Sequence, residues 1–191
     1  MTAIETLHNY FQKHHPQNAE GLEETIAAFE VRNIEKHTLL LAEGEQEVLL
    51  RFMVEGSVRE FYIGADKESN VNFFTQPHFI TDFSSFIYDK PTKKNQQALT
   101  EVQLLVLGKE RFLALLEKYQ CGNDLIQSIF IQLLQHQEAI EYQRHTKSPE
   151  QLYECLLTHK AHWLQTIPQY HIASFLGITP ETLSRIRKRR S

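Results

Sequence analysis

The chain reads as an α+β protein in which helices flank a run of short strands. Three observations carry that reading. Segments of period-two or short apolar character follow one another at 35–41, 48–54, 57–63, 70–75, 96–99 and 102–107. A stretch from 123 to about 146 repeats apolar residues at helical spacing. The last stretch, 169–191, reads QYHIASFLGITPETLSRIRKRRS, which is two short helices around a glycine turn with a basic end.

Taken in order, residues 2–29 are expected to be helical. Ile4, Leu7, Tyr10 and Phe11 make one apolar face, and Leu22, Ile26 and Phe29 make another. The strand segments that follow are separated by turn residues at Glu43-Gly44, Glu55-Gly56, around Gly64 and around Pro91. Short strands at this spacing predict a β-sandwich or barrel, with a hairpin at Glu55-Gly56. Residues 109–119 read as a short helix.

In the long helix at 123–146, Ile126, Ile129, Leu133 and Ile140 lie on a seam spaced by threes, fours and sevens, with Phe130 beside it. That spacing suits pairing with a second helix, and the stripe is wide enough to pack on its own barrel as well. Ser148 and Pro149 break this helix and start the next, Ser148 as cap and Pro149 in the first turn.

In the final helix pair, Ile172, Ala173, Leu176, Ile178, Leu183 and Ile186 fall where the two helices must pack. Gly177 stands at the sharp turn, where a residue that tolerates positive φ is needed. Thr179 can cap the second helix, and Pro180 fits its first turn. This is the helix-turn-helix pattern, whose second helix enters the DNA major groove. The free face of that helix carries Glu181, Ser184, Arg185 and Lys188. Arg can pair bidentately with guanine and Glu can accept from the amine of cytosine. Thr182, Ser184 and Lys188 suit phosphate contacts. Gln169 and Thr179 complete the expected DNA-contacting set.

The net charge of −4 divides unevenly along the 191 residues. From 179 onward, Arg185, Arg187, Lys188, Arg189 and Arg190 stand against Glu181 alone, giving +4 and leaving −8 for the rest. An acidic body with a basic head fits a DNA reader. Hydrophobic content of 41% and charged content of 23% are those of an ordinary soluble protein. No apolar run approaches the ~20 residues that span a bilayer, and the N-terminus lacks a signal-peptide core, so a cytoplasmic protein is expected. The two cysteines, Cys121 and Cys155, form no zinc or iron–sulfur ligand set. A cupin-like metal enzyme would need converging histidines, and the strand region offers only His37 and His78 without an HxH pair. No catalytic or metal-binding residue is assigned. The other alternative is a protein-interaction module whose helix-turn-helix no longer reads DNA, against which the arginine-rich end speaks.

The order of a helical N-terminus, strands, a long helix and a terminal helix-turn-helix resembles the Crp/Fnr family of bacterial transcription regulators. The piece IASFLGITPETLSRIRK, 172–188, looks like the family's recognition segment, in which a Glu and an Arg four residues apart read bases; these map to Glu181 and Arg185. The run Val-Glu-Gly-Ser-Val at 54–58 looks like the family's early hairpin, and the compact ending RIRKRRS is similar to Bacteroidetes-type members. The resemblance implies a cyclic-nucleotide-binding-like β-roll (a double-stranded β-helix) as effector domain at 1–121, a dimerisation helix at 122–147 and a winged helix-turn-helix at 148–191. The residues between Cys155 and Gln169 leave little room for the wing's hairpin. The implied partners are double-stranded DNA, a second copy of the chain and RNA polymerase, with no membrane.

Members that bind cyclic AMP carry a Gly-Glu pair that holds the ribose and an Arg-Ser pair that neutralises the phosphate. Phe79, Ile80, Thr81 and Asp82 align with the first, and the second falls near Thr92 and Lys93. The expected effector pocket is therefore Phe79, Thr81, Asp82, Thr92 and Lys93. Its phosphate-facing arginine is missing, and Lys93 or Lys94 would substitute only as a point charge. The sequence thus argues against cyclic AMP and for another small effector or none. No cysteine precedes Cys121, which speaks against an iron–sulfur sensor, and a lone His such as His78 does not make a haem site.

Overall fold

A computed structural model describes residues 1–14, 21–119, 138–143 and 145–189. Its strands are built around two mostly apolar runs without strict alternation, β3 (Leu49–Glu55) and β8 (Val102–Gly108). Both are buried on both faces, which is why they read as continuous apolar runs. Leu50, Phe52, Leu105 and Leu107 turn outward. They pack with Leu7 of α1 (Ala3–His14), Ile26 of α2 (Leu22–Ala27), and Phe112 and Leu115 of α4 (Lys109–Lys118). Met53, Leu104 and Val106 turn inward and meet Val58, Ile80, Ala98 and Val102 in a second cluster. The period of two along each strand sorts these residues between the two clusters.

Two four-stranded antiparallel sheets enclose that inner cluster as a β-roll. One has the order β1 (Glu30–Ile34), β8, β3, β6 (His78–Phe79). The other has the order β2 (Leu39–Leu41), β7 (Asn95–Ala98), β4 (Val58–Ile63), β5 (Glu68–Phe74), so β5 is an edge strand. Gly56 closes the β3–β4 hairpin at φ 106°, where an added Cβ would lie 2.4 Å from the Glu101 carbonyl oxygen. Helix α3 (Phe83–Tyr88) follows β6 and is capped by Asp82.

The first strand differs from the sequence expectation. The chain leaves helix at Ala28 and enters β1 at Glu30, pairing along its length with β8, while 35–38 forms a turn with His37 at φ 70°. Residues 30–33 of β1 are all exposed, so this strand is held by ladder hydrogen bonds and carries no apolar period to read.

The C-terminal part consists of helices among its described residues. Residues 138–143 are helical, followed by α5 (Pro149–His159), α6 (Ala161–Thr166), α7 (Gln169–Phe175) and α8 (Pro180–Lys188). Ser148 and Gln151 form the reciprocal capping pair that starts α5. Helix α6 fills the stretch where a wing would need its strands, and no strand occurs among the described residues beyond β8. The core of this part joins Tyr153, Leu156, Trp163, Ile167, Ile172, Ala173, Leu176, Leu183 and Ile186 to Phe73 and Leu99 of the roll. Of the expected long-helix seam, Ile126, Ile129, Phe130 and Leu133 lie outside the described residues, and Ile140 is a half-buried position of the helical 138–143.

Candidate functional site

The α7–α8 pair is shaped by the residues the sequence singled out. Gly177 adopts φ 70° in the turn. The Thr179 hydroxyl accepts from the Thr182 amide at 3.3 Å, and Pro180 occupies the first turn of α8. Leu183 and Ile186 are buried against α7, while Glu181, Ser184, Arg185, Arg187 and Lys188 are exposed and Thr182 is half-buried. Gln169 is exposed at the start of α7. Hydrogen bonds from its own backbone amide and from Thr179 hold the Glu181 carboxyl below its ordinary range, with Arg185 adding to the effect. The outer face of α8 thus presents an ionised acceptor one turn before a guanidinium donor, on a helix whose last turn carries Arg185, Arg187 and Lys188. Such a face can read base edges and hold phosphates.

The roll interior differs from its expected form. Asp82 is buried and fully engaged: it accepts from the Thr92 hydroxyl at 2.6 Å and from the Ser84 amide at 3.2 Å. The Thr81 hydroxyl accepts from the Arg51 amide at 2.7 Å and donates to the Leu49 carbonyl at 3.3 Å. Thr92 is further stitched into the loop before β3, its amide donating to Glu45 and its carbonyl accepting from Gly44. Two expected pocket residues lie elsewhere. Phe79 faces outward, edge-on to Tyr10, Phe11 and Phe52, because it is Ile80 that turns inward by strand alternation. Lys93 is exposed, and it is Lys94 that points inward, 3.3 Å from Glu60. Burial works to lower the Lys94 pKa, but the carboxylates of Glu60 and Asp82 outweigh it and hold it above the ordinary lysine value.

Arg51, which is buried, is paired with Glu47 and donates to the Leu40 carbonyl. Each inward cation is therefore committed to a carboxylate. Gln96, completely buried, donates to Glu60 and to the Ile80 carbonyl. Arg51, Glu60 and Gln96 were not found from sequence, since period-two reasoning assigns polar residues to the solvent side. Among the described residues, no group of three or more His, Cys, Asp or Glu side chains is placed to hold a metal ion. His78 lies against Tyr10 and Phe74. No helix among the described residues is long and apolar enough to cross a membrane.

Residues 31–119 match the family described as the cyclic nucleotide-binding domain. The fold of the chain is similar to that of the c-di-GMP responsive global regulator CLP of Xanthomonas campestris. There the identity is 17% over 90% of this chain and 91% of that chain, with a TM-score of 0.66. It is also similar to a CooA mutant from Carboxydothermus hydrogenoformans (17% identity, 87% and 78% covered, TM-score 0.64). A third similarity is to DNR from Pseudomonas aeruginosa (21% identity, 97% and 87% covered, TM-score 0.54). At these identities the likeness is one of fold. No match among curated protein sequences reaches significance.

Proposed function

We propose that the chain is a sequence-specific DNA-binding transcription regulator of the Crp/Fnr type, acting as a homodimer. The observation that supports this best is the outer face of α8. Glu181, Ser184, Arg185 and Lys188 stand exposed on a capped helix whose other side is buried. In this reading 1–121 is the sensing part, 122–147 pairs the two copies and 148–191 reads DNA. Two reading helices roughly 34 Å apart would meet successive major grooves of a near-palindromic site. The fold shared with regulators of known structure supports the same reading.

The roll is proposed to respond to something other than cyclic AMP, or to act without a ligand. A cyclic phosphate entering the roll beside Thr92 would find its inward cations already engaged, Lys94 with Glu60 and Arg51 with Glu47, which leaves only the exposed Lys93. The ribose-holding carboxylate, Asp82, is already bonded to Thr92.

Footprinting on DNA upstream of the protein's own coding region tests the reading. Arg185→Ala should cost about 1–3 kcal/mol of specific binding, and Lys188→Ala should weaken all sequences evenly and reduce the salt slope by about one. An Arg185→Ala protein that protects its site as well as wild type would refute the assignment of that residue. Titration calorimetry with cyclic AMP should show no saturable heat, and micromolar binding would overturn the account of the roll.

A further inference from the structure

The edge strand β5 carries an arrangement that the proposed function does not use. On its open side, the Asn70 amide donates to the Ser174 hydroxyl at 3.1 Å, and that hydroxyl donates to the Glu68 carbonyl at 3.1 Å. A single side chain of α7 thus fills the place of a neighbouring strand on an edge that pairs with no further strand among the described residues. Beside it, the Asn70 side chain, 2% exposed, donates to the His171 ring at 3.3 Å and toward the His171 carbonyl at 3.4 Å. Phe73 stands edge-on to Trp163, with ring centroids 5.0 Å apart, and lies 5.9 Å from Phe175.

This seam is half polar and not fully satisfied. The Asn70 side-chain oxygen is buried and has no hydrogen-bond partner among the described residues. A permanent core would not retain such a group at no cost. His171 is held neutral, its pKa pushed down to about 4 by burial and by Arg59, with Glu68 acting the other way. The seam thus holds a buried polar group at a cost. It also leaves the reading residues uncovered, since Glu181, Ser184, Arg185 and Lys188 stay exposed while α7 is docked. Docking therefore orients α8 without masking it.

We infer that Asn70, His171 and Ser174 are positioning residues for DNA reading: they dock α7 on the edge of β5 and so preorganise the angle at which α8 is presented. This rests on the DNA-reading proposal above. A head fixed in the right orientation loses less freedom on binding a two-site target than one that swings. A contact that does not distinguish one orientation from another would not change specific affinity at all.

Trp163, the sole tryptophan of the chain, lies in the seam at 2% exposure and reports its opening. Ser174→Ala and the double variant Asn70→Ala/Ser174→Ala should keep their helical circular dichroism, while acrylamide quenching of Trp163 increases. Specific-site affinity should fall by about five- to tenfold, the size expected for hydrogen bonds lost from the docked state. Nonspecific affinity and its salt slope should stay within about twofold of wild type, because the phosphate-contacting residues are untouched. Variants that bind the specific site as well as wild type, or more tightly, overturn the inference alone. Unchanged quenching of the double variant also overturns it, since the hydrogen bonds would then not hold the seam. A wild-type protein that binds no DNA at low salt overturns the DNA-reading proposal and this inference together.

Discussion

Replacing Gly56 with alanine should destabilise the roll more than the same change at Gly44, and the difference can be worked from geometry. Both residues sit at positive φ, 106° and 89°. An alanine at either site carries a conformational cost of about 1–2 kcal/mol. At Gly44 nothing lies within 4 Å of the added Cβ, so the cost ends there. At Gly56 the Cβ would lie 2.4 Å from the Glu101 carbonyl oxygen and 2.9 Å from the Val102 Cα. These are backbone atoms at the entry to β8. The adjoining loop is tied to the hairpin by Leu99 donating to the Ser57 carbonyl (2.7 Å) and Ser57 donating to the Thr100 hydroxyl (2.9 Å). Relief requires moving one strand end against the other, which adds about 1–3 kcal/mol of overpacking. At roughly 3 °C per kcal/mol for a chain of this size, Gly56→Ala should melt about 3–9 °C below Gly44→Ala. Thermal melts followed by circular dichroism measure the gap. Two variants melting within about 1 °C of each other would refute the claim that close backbone approach requires this glycine.

Asp82→Ala removes the cap of α3 and leaves the Thr92 hydroxyl proton without its acceptor, so urea denaturation should show a loss of about 2–4 kcal/mol; a loss under about 0.5 kcal/mol would show that the bonds are dispensable. Thr179→Ala should cost about 1 kcal/mol and fray the start of α8, read as faster amide exchange at Thr182. The neutral His171 sets a pH dependence. Its folded pKa of about 4 lies below the ordinary 6.5, so its contribution to stability is complete above pH 6.5 and is lost progressively as pH falls toward 4. Comparing wild type with His171→Gln should remove that slope; an NMR titration of the ring midpoint at or above 6.5 would contradict its burial beside Arg59.

How much of this could be read from the chain depends on where apolar side chains carry the structure. The outer and inner clusters were legible in 48–54 and 102–107 because β3 and β8 are apolar on both faces. The last helix pair was legible because its cap, turn glycine and six packing positions all fit one geometry, and the six packing positions are buried or half-buried. Strand β1 was not legible, since EVRNI is almost entirely exposed and its pairing with β8 is a main-chain matter. The residues expected to line an effector pocket came from family resemblance and not from any physical pattern in the chain. Counting placed Lys93 where Lys94 stands and could not tell that Phe79 faces α1. The buried pair Arg51–Glu47 and the Glu60–Gln96 contact run against the rule that polar residues face water. Their inward placement depends on partners distant in sequence, which no local pattern encodes.

The hydroxyl of Ser174 on the margin of β5 bears on how this protein can be divided in the laboratory. A fragment containing the roll but lacking the terminal helices would present Glu68, Asn70 and the apolar ring of Phe73 on a bare, extended rim. Such rims recruit one another strand to strand, so the truncated roll should come off a sizing column as multimers or precipitate on concentration. The small helical end then serves the polypeptide's solubility as well as any partner it meets, and separate expression of the two halves would sacrifice both.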